Sequence, residues 1–339
     1  MTRLRVLVAV AQHGSVTAAA RSLNYAQPSV SHHLARLEAE TGATLTQRSG
    51  RGIRLTDAGR LLAGRAEEIL GRLDAAEREL AAHVEQRQER IRLAVFASAL
   101  ATIVPAALSR LAAGHPGIDL LLAEAEPPEA MQMLRAGQVD VALVSRHTQN
   151  GTPVGPAAAA EGARTRLILD EQIHLVTRPR HRGAQAVGQP AGGPSPSGGP
   201  SPAGEAGMPD LAALAHSPWI AGCEHCRGHL IWLCQHAGFS PKIAFTTDDH
   251  VAAQALVAAG LGVTILPGLA INAARHPGIH AQPLPGAWRQ VLAVTYGQPP
   301  DPRAVDHLLD ILTLAAAATA TGAGSRSPAG GPGAGAGVA

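Results

Sequence analysis

Apolar residues lie three or four positions apart in the first part of the chain, a spacing that predicts amphipathic helices. We expect a first helix from about Thr2 to Gln12. Its inward face is expected to consist of four residues: Leu4, Leu7, Val8 and Ala11. Ser15 is placed to cap a second helix, because a serine hydroxyl accepts hydrogen bonds from the free N–H groups at a helix start.

A third helix is predicted to open at Pro28, which suits a first helical position because its missing N–H would be unpaired there anyway. Val30, Leu34 and Leu37 follow at helical spacing and must face the core, so the opposite face is polar. Gly42 ends this helix. The next segment, TLTQRSGRGIRLT, has the pattern of a strand, a glycine-bearing turn and a strand. These elements together predict a winged helix-turn-helix, which places one helix in the major groove of DNA.

One long helix is predicted from Asp57 to about Gln88. Its apolar residues recur at alternating steps of four and three: Leu62, Ala66, Ile69, Leu73, Ala76, Leu80 and His83 or Val84. This pattern favours dimerisation through the helix. The alternative is that the same stripe packs against the chain's own body.

Beyond Glu89, short apolar strands alternate with helical segments, which predicts an α/β architecture with mainly parallel sheets. Residues 181–208 and the C-terminal end consist mainly of Gly, Pro, Ser and Ala. We expect both segments to be disordered, because they cannot bury enough apolar surface to offset the entropy of the chain.

Charge is concentrated at the N-terminal end. Residues 1–60 contain eight arginines and three acidic residues, a net charge of +5, whereas the whole chain carries +2. This asymmetry suits a DNA-binding end joined to a neutral domain. Three cysteines are an odd and sparse set, which is not typical of a disulfide framework. The expected compartment is therefore the reducing cytoplasm. The most apolar stretch, 251–271, is interrupted by polar residues, glycines and a proline, so no membrane span is expected.

The block GSVTAAARSLNYAQPSVSHHLARLEAETGATL and the LTDAG that follows it strongly resemble the N-terminal signature of LysR-type transcriptional regulators. HPGIDL, LRAGQVDVALV, HLVTRP and VAAGLGVTILP resemble motifs of that family's effector-binding domain and occur in the same order. The resemblance covers roughly residues 3–316, without 181–208. It implies a winged helix-turn-helix, a dimerising linker helix and a two-subdomain sensor of periplasmic-binding-protein type. It also implies homotetramers on promoter DNA.

The resemblance and the composition together predict the domain boundaries. They are 1–58 for the DNA-binding domain, 59–90 for the linker helix, 91–317 for the effector-binding domain and 318–339 for a disordered tail. Within the effector-binding domain, subdomain I is expected at 91–165 and 267–317, and subdomain II at 166–266. Two positions depart from the family pattern: His32-His33 stands where Arg-Gln is usual, and Thr46 where an aromatic is usual. The first leaves the preferred operator open, and the second predicts slightly looser packing of the wing.

The predicted DNA-binding residues of the third helix are Gln27, Ser29, Ser31, His32 and Arg36. Gln and Arg can make bidentate contacts with adenine and guanine, and Ser can contact a base or a phosphate. The wing arginines, Arg51 and Arg54, are expected to contact phosphate or the minor groove, which adds affinity without sequence information. The alternative is a solvated helix face with ordinary surface arginines.

An effector site is expected where strands end, because ligands of open α/β sheets gather at the carboxyl ends of strands. The candidate effector-binding residues are Ser98, Ala99, Ser145, His225, Thr247 and Asp248. Ser98 and Asp248 could instead act only as helix caps. The effector is expected to be a small-molecule co-inducer, and no other cofactor is predicted.

The segment GCEHCRGHLIWLCQH allows three interpretations. Cys223, Cys226 and His229 could supply metal ligands, although their spacing departs from the usual zinc patterns. Cys223 and Cys226 could form a redox pair, since a cysteine at a helix N-terminus has a lowered pKa. We favour the third interpretation, in which the cysteines fill space and histidines line the effector pocket.

No arrangement of nucleophile and base, phosphate loop or paired carboxylates is recognisable, so we do not expect an enzyme. We expect a cytoplasmic regulator whose partners are double-stranded promoter DNA, a small-molecule effector and further copies of itself as a homodimer or homotetramer, with RNA polymerase as another candidate. Two other classes stay open. One is a small-molecule-binding or thiol-redox protein without specific DNA recognition, which would not need the arginine-rich N-terminal end. The other is an architectural DNA binder, which would not need the long α/β region.

Overall fold

The computed structural model describes residues 1–49, 52–85, 89–154, 162–179, 211–297 and 301–320. Arg51 and the predicted insert at 181–208 lie outside these ranges. The helices are α1 (Thr2–His13), α2 (Val16–Ser22), α3 (Gln27–Thr41), α4 (Asp57–Glu85), α5 (Ala97–Leu100), α6 (Ile103–Gly114), α7 (Pro127–Arg135), α8 (Glu224–His236), α9 (His250–Ala258), α10 (Gly268–Ala273) and α11 (Arg303–Ala320). The strands are β1 (Thr46–Ser49), β2 (Gly52–Leu55), β3 (Glu89–Val95), β4 (Ile118–Glu124), β5 (Val141–Gln149), β6 (Thr152–Val154), β7 (Ala163–Thr177), β8 (Pro218–Ala221), β9 (Lys242–Thr246), β10 (Thr264–Pro267) and β11 (His280–Tyr296).

The first three helices form one core, and the predicted cap at Ser15 and end at Gly42 are confirmed, whereas α3 begins at Gln27, one residue before the predicted Pro28. Ser15 is the N-cap of α2, where its hydroxyl accepts a hydrogen bond from the Ala18 N–H at 3.4 Å. Val30, Leu34 and Leu37 are buried, as predicted. Gly42 ends α3 at φ 66°, a left-handed conformation that glycine adopts without steric strain.

The predicted inward face of α1 is confirmed at Leu7 and wrong at Ala11. The buried residues are Val6, Leu7, Ala9 and Val10, whereas Leu4 and Val8 are half-buried and Ala11 is exposed. The segment RVLVAVA is apolar on most sides, so spacing alone admits more than one face. Contacts with α2, α3 and α4 select the one that is buried.

The wing is attached to the end of α3 by Glu38. Its carboxylate accepts hydrogen bonds from the Leu45 N–H at 2.8 Å, from the Thr46 N–H at 2.9 Å and from the Thr46 hydroxyl at 3.1 Å. Thr46, which stands where an aromatic is usual, therefore joins the wing to α3 by hydrogen bonds. Strands β1 and β2 pair antiparallel beyond this junction.

The long helix α4 leaves part of its predicted stripe uncovered. It packs on α1, with Arg5 bonded to Asp74 at 3.0 Å and Gln12 to Glu67 at 2.9 Å. Among the stripe residues, Ala66 is buried and Leu62 and Leu73 are half-buried, whereas Ile69, Ala76 and Leu80 are exposed. The side chains of His83 and Val84 lie outside the described part. Packing against the chain's own body thus explains only some of the stripe.

The C-terminal part of α4 touches the following domain closely at Gly71. A Cβ added there would lie 2.6 Å from the Arg135 carbonyl oxygen and 2.7 Å from the Gly137 nitrogen, so only glycine allows this approach. The guanidinium of Arg72 lies over the Tyr296 ring, 5.0 Å from its centroid. Residues 86–88 lie outside the described ranges. Strand β3 then begins at Glu89, so the linker helix ends before the predicted residue 90.

A seven-stranded mixed sheet is the centre of the following domain. The strand order is β10-β7-β11-β5-β3-β4, and β6 pairs with β5. Only β3 pairs parallel within it, with β4 and β5, so the prediction of mainly parallel sheets is wrong. The reason is β11, a 17-residue strand that runs antiparallel to both β5 and β7 and was not recognised in the sequence. Strands β8 and β9 form a separate parallel pair.

Two groups of hydrophobic clusters divide this domain into halves. The first includes Ile91, Leu143 and Ile168, and the second includes Trp219 and Leu230. Strands β7 and β11 belong to both halves because each is long enough to cross from one to the other. Leu169 and Val291 belong to the first cluster, and Ile173 and Ala287 belong to the second, so both strands change cluster along their length. Helix α11 packs in the first half and continues to Ala320, past the predicted start of the tail at 318.

None of the described helices combines the length and the apolar character that crossing a bilayer requires.

Candidate functional site

Helix α3 presents all of its predicted DNA-binding residues on one exposed face. Gln27, Ser29, Ser31, His32 and Arg36 are each exposed, while the opposite face is buried against α1 and α2. The Arg36 side chain is 64% exposed and its Nε lies 3.7 Å from the Glu40 carboxylate, a loose pair on the helix surface. The guanidinium therefore has little of its hydrogen-bonding capacity committed to Glu40.

The wing extends the same surface through β2. Arg54 is exposed and its backbone pairs with that of Gln47 on β1. Arg51 lies outside the described residues, so its predicted phosphate contact stays a prediction. The predicted contact of Arg54 with phosphate or the minor groove likewise stays a prediction.

A row of three polar side chains crosses the sheet in the other domain. Arg289 on β11 pairs directly with His147 on β5 and with Glu171 on β7. Directly paired residues of antiparallel strands point to the same face of a sheet, so the three side chains lie side by side. All three are at most 3% exposed. We call this set the polar row.

The ion pair of the polar row is fully hydrogen-bonded. Arg289 donates from Nε to Glu171 Oε1 at 2.7 Å, and the other carboxylate oxygen accepts from the Leu269 N–H at 2.6 Å. Burial raises the pKa of the Glu171 carboxyl, while the Arg289 charge and the Leu269 N–H oppose that rise. Buried charges are tolerated only when they are paired in this way, so each partner depends on the other.

Ser98 completes the contacts of Arg289, and its predicted role as a helix cap is wrong. Phe96 is the N-cap of α5, and Ser98 lies inside the helix with its hydroxyl 2.9 Å from a terminal guanidinium nitrogen of Arg289. The guanidinium also lies 5.0 Å from the centroid of the Phe96 ring. Ala99 is fully buried next to Ser98. The segment after strand β3 therefore contacts the polar row through Phe96 and Ser98.

Three histidine rings stack between the two halves of the domain. The ring of His147 lies 4.0 Å from that of His229 and 4.9 Å from that of His225, measured between centroids. His147 belongs to β5 in the first half, and the other two belong to α8 in the second. We call this set the histidine stack. Burial lowers the pKa of all three, that of His229 to about 4, so the rings are neutral near pH 7.

The histidine stack has polar atoms without partners. Both ring nitrogens of His147 and His229, and Nε2 of His225, are buried and make no hydrogen bond within the described structure. A buried polar group without a partner costs about 1–3 kcal/mol. Such groups deserve an explanation, and one explanation is a molecule that supplies the missing bonds.

The remaining predicted effector residues are Ser145 on β5 and Thr247 and Asp248 between β9 and α9. Ser145 is buried inside β5 rather than at its end, because the strand continues to Gln149. Thr247 and Asp248 follow β9 at the edge of α9, but the cap of that helix is Asp249, whose carboxylate accepts from the Val251 and Ala252 N–H groups. The capping interpretation of Asp248 is therefore wrong. Asp248 is exposed.

The predicted metal candidates do not converge. The Cys223 and Cys226 sulfurs are 3.2 Å apart, whereas His229 stacks on His147. Within the ranges the structure describes, no three His, Cys, Asp or Glu side chains are arranged to hold a metal ion. The geometry thus favours a contact between two thiols over a shared metal.

Sequence inspection missed Arg289, Glu171 and His147, the residues of the polar row. Their strands carry several other polar residues, so no local signal in the sequence marked these three as buried. The partner itself was not predictable, since Glu171 and Arg289 are 118 positions apart.

Comparison with known proteins assigns both parts of the chain to families. Residues 1–60 match the bacterial regulatory helix-turn-helix protein family of lysR type. Residues 85–317 match the LysR substrate binding domain.

Individual proteins resemble the chain over most of its length. A probable hydrogen peroxide-inducible genes activator of Mycobacterium avium is 30% identical over 79% of this chain and 78% of its own length. A full-length OxyR variant from Pseudomonas aeruginosa has a similar fold, with a TM-score of 0.57 and 22% identity over 92% of this chain and 94% of that one. Full-length CbnR in complex with its target DNA gives a TM-score of 0.54 and 21% identity over 93% and 99%.

Proposed function

Since the chain belongs to the LysR family of bacterial transcriptional regulators, we propose that it recognises promoter DNA through α3 and responds to a small molecule bound between the halves of its effector domain. The observation that carries the proposal is the exposed polar face of α3 on a buried three-helix core. Gln27 and Arg36 on that face can make bidentate contacts with bases, and Arg54 of the wing can contact the DNA backbone. This function places the protein in the cytoplasm with the DNA.

Selection of genomic DNA fragments by the purified protein tests DNA recognition. We expect an interrupted palindrome that is still selected after 300 mM salt is added, because base contacts are less sensitive to salt than phosphate contacts. Binding that disappears uniformly across sequences with salt would contradict specific recognition. It would favour instead a small-molecule-binding or thiol-redox protein.

The effector site is proposed at the polar row and the histidine stack. Support comes from five buried ring nitrogens without partners and from the position of these residues between two separate cores. A ligand that bonds these nitrogens would interact with both halves and would bias their relative position. Linkage then requires that DNA binding and effector binding influence each other.

Replacing Ser98 tests this site separately from DNA binding. Ser98→Ala removes the hydroxyl that accepts from Arg289, so we expect a blunted response to effector in a reporter assay and unchanged affinity for the selected DNA. Loss of both properties would mean that Ser98 supports the fold, and an unchanged response would place the effector elsewhere.

Assembly of the regulator is proposed to use the exposed stripe of α4. Ile69 and Leu80 of the stripe are 49% and 65% exposed, and Leu61 beside the stripe is 69% exposed. Large apolar residues in a row on a helix favour a second helix as their cover. A dimer also fits recognition of two half-sites. Ile69→Glu is expected to lower the molecular mass in sedimentation, whereas Leu121→Glu on β4, 45% exposed, serves as the control. An unchanged mass for Ile69→Glu would remove α4 from the interface.

A further inference from the structure

Two cysteines of α8 lie within contact distance of each other. The Cys223 thiol donates a hydrogen bond to the Cys226 sulfur at 3.2 Å, and both residues are half-buried. Gly222 leaves room beside the Cys226 side chain, because a Cβ added at Gly222 would make a tight contact of 3.3 Å with the Cys226 Cβ. The third cysteine, Cys234, is fully buried and burial raises its pKa to about 11.

The two thiols differ in their surroundings. The hydrogen bond from Cys223 and the nearby charge of Arg289 lower the pKa of Cys226, in opposition to burial. The hydrogen bond and burial raise the pKa of Cys223. The thiolate is the reactive form of cysteine, so this asymmetry makes Cys226 the attacking group and Cys223 the second one.

We propose that Cys223 and Cys226 form a reversible disulfide with a small disulfide as oxidant, and that this bond regulates the effector cleft. The contact at 3.2 Å between the two sulfurs and their place beside the histidine stack carry this proposal. The claim that the disulfide regulates the protein rests on the function proposed above. The claim that the disulfide forms is independent of that function.

The reaction balances as a two-electron exchange. The Cys226 thiolate attacks one sulfur of the small disulfide, whose S–S bond breaks and releases one small thiol. Cys223 loses its proton to water and attacks the Cys226 sulfur of the mixed disulfide, which releases the second small thiol. The protein dithiol is oxidised by two electrons, the small disulfide is reduced by two, and the two cysteine protons end on the two small thiols.

Bond formation would act on the histidine stack through His225. A disulfide brings its sulfurs to about 2.05 Å, so closing the gap from 3.2 Å requires movement at the start of α8. His225 lies between the two cysteines in the chain, and its ring stacks on His147 of the other half. Oxidation therefore changes the contact through which the two halves of the domain meet.

Thiol counting on the full chain tests the chemistry. After incubation with oxidised glutathione, alkylation and mass spectrometry, we expect wild type to fall from three free thiols to one without added mass from glutathione. Cys223→Ser should retain one glutathione on Cys226, whereas Cys226→Ser should keep both of its thiols. Cys234→Ala is the matched control and should lose both thiols to the internal bond. Wild type that keeps three thiols, or bonds that involve Cys234 or a second chain, would overturn the proposal.

Two further readouts test regulation. Hydrogen exchange of the α8 amides should differ between the oxidised and reduced wild type, and affinity for the selected DNA should differ at least threefold, with neither change in Cys223→Ser. If the disulfide forms and neither readout changes, the claim that it regulates the protein is overturned. Failure of DNA recognition would not affect the thiol counts, and an unreactive thiol pair would not affect DNA recognition, so the two proposals can fail separately.

Discussion

Helix α3 and the sheet that carries the polar row both present polar side chains, but they support them in opposite ways. On α3 the polar residues are exposed, and a buried apolar face on the same helix holds them in place. In the polar row, His147, Glu171 and Arg289 are buried, and each is held by residues of other strands and helices.

This difference predicts which changes affect stability and which affect binding. A residue of α3 can be replaced without leaving a buried group unpaired, so its loss should appear in DNA affinity. Neither Glu171 nor Arg289 can be replaced alone, because its partner would remain buried without a counter-charge. Four measurements test this difference.

The largest effect is expected for Arg289→Ala. It leaves Glu171 buried with only the Leu269 N–H as a partner, so the free energy of unfolding should fall by about 3–5 kcal/mol. Urea denaturation followed by tryptophan fluorescence measures this. The matched control is Arg90→Ala, since Arg90 is 64% exposed and pairs with Asp119 at 3.0 Å, where a change below about 1 kcal/mol is expected. Equal effects for the two variants would break the contrast.

Arg36→Ala should weaken binding to the selected DNA without destabilising the fold. Loss of one bidentate base contact corresponds to about 1–3 kcal/mol, or about 5- to 150-fold in affinity. Fluorescence anisotropy measures the affinity, with Arg90→Ala as the control of equal exposure. An Arg36→Ala variant that binds the selected DNA with wild-type affinity would contradict a base contact of Arg36 in the major groove.

The histidine stack should make stability depend on pH. The folded-state pKa of His229 is about 4, below the ordinary 6.5, so the unfolded chain binds its proton more readily. The stabilisation is complete above pH 6.5 and is lost as the pH falls towards 4. Between pH 7 and 5.5, unfolding free energy should drop by about 1 kcal/mol more in wild type than in His229→Phe. His216→Phe, at an exposed position, is the control, and parallel curves for wild type and His229→Phe would contradict the assignment.

Arg54→Ala should give the smallest change in DNA affinity. It should distinguish the contribution of the wing from that of α3. A phosphate contact carries no sequence information, so affinity is expected to fall equally for all DNA sequences and the salt slope to decrease by about one. Anisotropy titrations at several salt concentrations, on the selected site and on a scrambled one, measure both quantities. A change confined to the selected site would instead assign Arg54 to a base.

Local patterns were sufficient for most of the DNA-binding domain. The cap at Ser15, the buried face of α3 and the end at Gly42 each follow from residues a few positions apart, and all three predictions are confirmed. The face of α1 was wrong at Ala11 because that helix is apolar on most sides, so its neighbours decide which side is buried.

Local patterns did not predict the contacts of the polar row and the histidine stack. The sequence determined that Ser98 and His225 stand at the ends of predicted elements, and it determined the family of the chain. Only the tertiary structure decided that Ser98 meets Arg289, 191 positions away, and that His225 stacks on His147. The physical reason is that helix periods and caps arise from neighbours along the chain, whereas buried polar groups require partners that strand pairing brings together from distant segments.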